Sequence, residues 1–164
     1  MDIEASYNFR RMSERLTTSG IVPPDGLKAL RAQGYEVVIN LLPDTGRNAI
    51  PNERDIVESQ GIEYIYIPVD FKQPTSADLS TFSKALDRVH EKKVHVHCAA
   101  NYRVSAFYSL YLVSGGLWSA EQAMEFIRSV WQPSEQPGWS DFIAVVLAEV
   151  SAQQSVPADR RKNA

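Results

Sequence analysis

The sequence predicts an α/β domain with a mainly parallel central sheet and helices on both faces. Two observations carry the prediction. Between residues 16 and 97, short apolar runs rich in Val and Ile alternate with helical patterns, which is the signature of βαβ units. Beyond residue 104 apolar residues recur at helical spacing and no further strand pattern appears. A length of 164 residues fits one domain with a substantial core. With no internal repeat and no Gly/Ser linker, a single domain over residues 1–152 is expected, followed by a disordered tail over 153–164.

The elements follow in order. A short first strand is expected at residues 16–19. A helix over 25–33 ends at Gly34, a C′ glycine. Residues 35–42 (YEVVINLL) read as a buried strand. A short helix over 51–60 is closed by Gly61, and residues 62–69 (IEYIYIPV) form the next strand. Thr75 and Asp78 make a capping box for a helix reaching about His90, with Leu79, Phe82, Leu86 and Val89 on its apolar face. Residues 94–97 are a third strand. Residues 104–114 are apolar nearly all round and belong in the core, with Gly115 and Gly116 ending the helix. Ser119 and Gln122 form a second capping box, opening a helix that carries Ala123, Met124, Ile127, Val130 and Trp131. A last helix carries Trp139, Phe142, Ile143, Val146 and Val150.

Composition removes several function classes. A net charge of -3 gives no general basic surface, so neither nucleic acid nor an anionic membrane is an expected partner. The single cysteine excludes an internal disulfide and favours a reducing compartment. The opening residues MDIEASYNFRRMSERL contain no apolar run, so no signal peptide is read there and a cytoplasmic location is expected.

The informative arrangement is strand, Cys98, short loop, buried helix. A residue at the carboxyl end of a parallel strand sits where open α/β sheets bind ligands. The loop then enters a helix amino end, whose free N–H groups and dipole favour an anion. The same field, with Arg103 nearby, lowers a thiol pKa and populates the thiolate. Ala99 and Ala100 are small enough to let backbone amides approach a ligand. Asn101 suits a left-handed position. Arg103 offers a forked guanidinium that holds phosphate through two hydrogen bonds. The expected phosphate-binding set is thus Ala99, Ala100, Asn101, Tyr102, Arg103 and Val104.

At His97-Cys98-Ala99-Ala100-Asn101-Tyr102-Arg103-Val104-Ser105 the chain resembles the protein tyrosine and dual-specificity phosphatase superfamily. That family's signature is His-Cys, five residues, Arg, then Ser or Thr. The segments VVINLLPD, YIYIPVDF and VHVHCAANYRVSAF are similar to a bacterial group of small phosphatase-like proteins. The resemblance covers about residues 16–150 and implies a dual-specificity-phosphatase-like fold. It also implies a nucleophile at Cys98, a phosphate-holding Arg103, a loop-ordering His97, and a Ser105 hydroxyl that assists the leaving thiolate. One departure stands out. Four residues, and not five, separate Cys98 from Arg103, so Val104 falls on the family's arginine position and Asn101 on its first glycine. Four is the loop length of rhodanese-like sulfurtransferases. A sulfurtransferase and a non-catalytic phosphate-binding pseudophosphatase therefore stand beside the expected function, a phosphomonoester hydrolase acting through a phosphocysteine.

Such a hydrolase needs an acid to protonate the leaving oxygen. Asp70 is the candidate, ending a strand expected to lie close to that of Cys98, although an Asp there could simply open a turn. Asp44 is the reserve. His95 and His97 are two apart in a strand and face the same side; no third ligand is evident, so no metal is expected. Asn40 is a candidate brace for the cysteine loop, and Tyr102 and Arg47 candidates for the substrate rim. No cofactor is expected. The expected partner is a phosphorylated protein or small molecule, or an oxyanion.

Overall fold

The computed structural model describes residues 2–154. Five strands form one sheet: β1 (Arg10–Arg11), β2 (Leu16–Ser19), β3 (Val37–Asn40), β4 (Glu63–Tyr66) and β5 (Val94–His97). Their order is β1-β2-β5-β3-β4, with only β1 antiparallel to its neighbour. Six α-helices accompany them among the described residues: α1 (Pro24–Lys28), α2 (Glu53–Glu58), α3 (Ser76–Arg88), α4 (Tyr102–Ser114), α5 (Ala120–Val130) and α6 (Pro137–Gln154). The mainly parallel sheet is as the sequence predicts.

Alternation along the strands divides the interior into two cores. In β5 the valines Val94 and Val96 face the larger core, with α3, α4, α5 and α6. The intervening His95 and His97 are also fully buried. In β3, Val37 and Ile39 join the larger core while Val38 joins the smaller one, beside Leu27 of α1 and Val57 of α2. A strand buried on both faces reads as a near-continuous apolar run, as Val37, Val38 and Ile39 do, while β5 is the exception that buries two histidines.

β5 enters last and takes the middle of the sheet. The register pairs His97 with Ser19 on one side and Asn40 on the other. From β5 the chain leaves into α4, towards the larger core. From β2 and β3 it leaves into α1 and α2, towards the smaller one. Connections departing to opposite faces open a crevice at the carboxyl ends of the strands. Cys98 stands there, one residue beyond β5.

Several boundaries differ from the sequence reading. The helix expected over 25–33 is α1 plus a separate 3-10 turn, Arg31–Gln33, and Gly34 ends it at φ 88°. The strands expected over 35–42 and 62–69 are cut to four residues each, Val37–Asn40 and Glu63–Tyr66, although single backbone bonds continue beyond them, as from Ile67 N–H to Asn40 O and from Val69 N–H to Leu41 O. α4 starts at Tyr102, two residues earlier than expected. The Ser119–Gln122 capping box forms in full, whereas for Thr75 the Asp78 N–H donates to the hydroxyl as half of such a box. β1, Arg10–Arg11, has no counterpart among the elements the sequence predicts. α6 runs to Gln154, two residues into the expected tail; the remainder of that tail lies outside the described residues. No helix among the described residues is long and apolar enough to cross a membrane.

β2 and the loop after Cys98 touch at their backbones. Ile21 N–H donates to Ala99 O (2.9 Å), and Gly20 bridges Ala100. A Cβ on Gly20 would lie 2.4 Å from Ala99 O and 2.8 Å from Ala100 Cα. Gly20→Ala is therefore expected to cost about 1–3 kcal/mol, as overpacking against backbone does. Denaturant unfolding checks this, and a variant as stable as the parent would mean that strand and loop are not tightly apposed.

Candidate active site

Cys98 is fully buried, its N–H donating to Ser19 O at 3.3 Å. The three carbonyls that follow are each held by a donor from outside the loop's own turn. Cys98 O accepts from His97 Nδ1 (3.2 Å), Ala99 O from Ile21 N–H (2.9 Å) and Ala100 O from Asn8 Nδ2 (3.0 Å). In a trans peptide the carbonyl and the next N–H point in opposite directions. The N–H groups of Ala99, Ala100 and Asn101 are thereby turned away from these three donors. Asn101 is the N-cap residue of α4, at φ 69°, and the first-turn amides of Tyr102, Arg103 and Val104 have no intrahelical acceptor.

His97 is the charged member of the histidine pair. Its Nε2 donates to Glu53 Oε2 at 2.6 Å, and Glu53 also receives the Tyr64 hydroxyl at 3.0 Å. Burial opposes the charge on His97, but the Glu53 carboxylate and the bonds to Glu53 and Cys98 O outweigh it, so its pKa is raised. Both ring nitrogens act as donors. Asn40 sits behind, Nδ2 donating to the Tyr64 hydroxyl (2.9 Å) and Oδ1 accepting Leu42 N–H. Burial and the nearby Glu53 carboxylate push the Tyr64 phenol well up. Asn40 thus reaches the cysteine loop through Tyr64, Glu53 and His97, and not by direct contact.

His95, two residues away, is neutral. Ser19 Oγ donates to Gly20 O, so it accepts from His95 Nε2–H (2.8 Å), leaving Nδ1 to accept from Thr17 Oγ1 (2.8 Å). Thr17 Oγ1 is in turn partnered by the Tyr35 hydroxyl. Burial, then the positive His97, hold His95 well below its ordinary pKa. Neither imidazole has a nitrogen left for a metal. Among the described residues, no group of three His, Cys, Asp or Glu is placed to hold one.

Asp70 is exposed, and its Oδ1 accepts the Lys72 N–H (2.9 Å) in a closed turn. Its strand, β4, does not adjoin β5 as expected, because β3 lies between them. Its loop nevertheless reaches α4. Arg103 lies over the Phe71 ring, Cζ 5.1 Å from the centroid, and Tyr102 packs 6.3 Å from the same ring. Trp139 Nε1 pins the loop by donating to Phe71 O (2.7 Å). Arg103 Nε is buried without a hydrogen-bond partner. Val104, on the family's arginine position, is wholly in the core. Ser105 Oγ donates to Tyr102 O (3.0 Å) and accepts from Trp131 Nε1 (3.1 Å), so its one proton is committed to Tyr102 O and not to the sulfur it is expected to assist. Asp44 and Arg47 are exposed. Asp44 borders a cavity of about 480 Å³ that Glu53 and Tyr64 also line.

The PTP-NADK family, described as a DSP-PTPase phosphatase fused to NAD+ kinase, matches residues 5–130. The chain belongs to this family. A DUF442 protein of Shewanella putrefaciens CN-32 has a similar structure, 35% identical, with a TM-score of 0.78 and coverage of 92% of this chain and 95% of that one. TpbA of P. aeruginosa shares the fold at 16% identity, with a TM-score of 0.68 and coverage of 88% and 90%. A beta-lactamase hydrolase-like protein of Agrobacterium fabrum is 31% identical over 103 residues, 61% of this chain and 24% of its own length. The chain thus spans about a quarter of that curated relative.

Membership of the phosphatase superfamily agrees with the resemblance read at Cys98. Sequence reasoning missed Glu53, Tyr64, Asn8, Gly20 and Trp131. No local signal pointed to Glu53, which meets His97 across 44 positions of sequence.

The two histidines set opposite pH trends in stability. His97, with its pKa raised, contributes stability that is fully present below the unfolded value of about 6.5 and lost as pH climbs through the folded value. His95, with its pKa lowered, contributes stability present above about 6.5 and lost as pH falls. Glu53→Gln should therefore flatten the alkaline decline and lower stability on the order of 3 kcal/mol, the usual result of breaking a buried pair. Denaturant titrations between pH 5 and about pH 9 read both effects. An unchanged alkaline slope in the variant would show that the pair does not carry it.

Proposed function

We propose that this chain is a phosphomonoester hydrolase that works through a phosphocysteine at Cys98. The observation that carries the reading is the outward holding of carbonyls 98, 99 and 100. It turns the Ala99 and Ala100 amides away from those donors, and the first-turn amides of Tyr102, Arg103 and Val104 add their N–H groups at the positive end of α4. Fixed N–H dipoles of this kind favour an oxyanion without reorganisation.

The steps balance simply. The Cys98 thiolate attacks phosphorus and the bond to the ester oxygen breaks. The Asp70 carboxylic acid donates its proton to that oxygen, which leaves as an alcohol. Water then attacks phosphorus, the Asp70 carboxylate takes its proton, and the P–S bond breaks to return the thiolate and release phosphate. Arg103, on its Phe71 platform, offers its terminal nitrogens to two phosphate oxygens. His97 orders the loop, Asn40 backs it through Tyr64, and Ser105 fixes Tyr102 and Trp131. Phosphotyrosine bound in the TpbA structure supports a phosphorylated substrate here.

A second reading, a phosphate-binding protein without turnover, draws on one specific observation. Arg103 is engaged with Phe71 and its Nε is buried and unpartnered, while Cys98 is fully buried. Hydrolysis of aryl phosphates by the parent and by Cys98→Ser separates the two readings. The parent should turn over and Cys98→Ser should not, while both bind phosphate. A parent that binds phosphate and never releases an alcohol would leave only the second reading.

Asp70→Asn should lower turnover on poor leaving groups by about 10²–10⁴-fold, the usual contribution of a general acid. The loss should shrink on an activated aryl leaving group, which departs without a proton. Equal losses on both would make Asp70 a loop-forming residue and move the role to Asp44.

A further inference from the structure

We propose that Asn8, ninety residues before the cysteine loop, is a positioning residue for the anion site; the inference rests on the phosphatase reading above. Asn8 and Asn101 hold each other reciprocally. Asn8 Nδ2 donates to Ala100 O (3.0 Å), and Asn101 Nδ2 donates to Asn8 O (2.9 Å). Both residues are left-handed, at φ 50° and 69°. Asn101 is further tied to Thr18 Oγ1 (3.0 Å). The segment bearing Asn8 is itself fixed: Gly20 N–H donates to Tyr7 O (2.7 Å), Phe9 N–H closes a turn onto Ser6 O, and Phe9 stacks on His95.

The need for such a residue follows from the loop's composition. The loop contains no glycine, and its turn into α4 is made by Asn101 at positive φ. The peptide between Ala100 and Asn101 has two orientations available to a loop. With its carbonyl towards Asn8, the N–H of Asn101 points the opposite way. Flipped, the peptide would exchange the two and put a carbonyl oxygen, which repels an oxyanion, where the N–H had been. Cys98 O and Ala99 O are held by His97 and Ile21, within the sheet and its edge. Ala100 O alone of the three relies on a side chain from the N-terminal segment. Asn8 therefore sets the sign of the field at the middle of the loop, through Ala100, without touching substrate.

The test is tungstate binding by calorimetry, on the parent, Asn8→Gly and Asn8→Asp, well below each melting midpoint. Glycine keeps the positive φ and removes the donor; aspartate tolerates that φ and at neutral pH only accepts. Both should bind tungstate about tenfold more weakly than the parent, as loss of one net hydrogen bond predicts. Arg11→Ala, which breaks the neighbouring ion pair with Glu4, should shift melting without changing affinity. If Asn8→Gly does not melt cooperatively, Asn8→Asp decides. Variants with parental affinity and lowered melting would overturn the positioning role and leave the anion site standing. A parent that binds no tungstate would overturn the anion site, and this inference with it.

Discussion

A trans peptide unit cannot send its carbonyl and its following N–H to the same side. At Cys98 that constraint makes the exterior of the loop determine its interior. His97 Nδ1, Ile21 N–H and Asn8 Nδ2 arrive from three different places: β5 itself, the strand edge after β2, and the N-terminal segment. Each captures one carbonyl and so frees the next amide. The sheet order is what brings them together. With β5 between β2 and β3, the loop after Cys98 is flanked by both neighbours, and Gly20 is bare so that the backbones can meet.

The strand that ends at Cys98 also carries its electrostatics. VHVH places valines on one face and histidines on the other, and the two imidazoles stack 6.3 Å apart, 20° from parallel. Two buried like charges at that separation would be costly, and the partners prevent it. Glu53 supplies a carboxylate to His97, while His95 meets only hydroxyls. The positive charge is thereby confined to the residue adjoining Cys98, where it polarises the Cys98 carbonyl. Placing the charge one pleat further from the loop would have left that carbonyl without a charged donor.

How much was legible in the sequence follows from the range of the interactions. The strand–Cys98–helix arrangement is local, and so are glycine stops such as Gly34 and the Ser119 box, so residues a few positions apart reveal them. Asn101 at positive φ was readable for the same reason. Asn8 and Glu53 were not, because each meets the loop across a large separation in sequence and neither belongs to a periodic pattern. β1, with two residues, is too short to show alternation. The expected closeness of the Asp70 and Cys98 strands failed because the order in which strands insert is a property of the whole sheet. No run of residues near Asp70 records that β3 intervenes.

The short loop acquires a physical meaning from these contacts. On an α-helix, neighbouring residues point about 100° apart, so one position decides which side chain enters the core. Val104 takes the inward direction and packs with the larger core, and Arg103 is left at the boundary, half-buried against Phe71. Placing the arginine at 104 would bury a guanidinium among apolar groups with no acidic partner, at a cost of several kcal/mol. In this chain the aromatic group of Phe71, Tyr102, Trp131 and Trp139 gives Arg103 its seat. The arginine and the Asp70 loop are thus fixed by the same ring. A change at Phe71 would move both at once, which ties the proposed acid and the proposed phosphate clamp into a single packing unit.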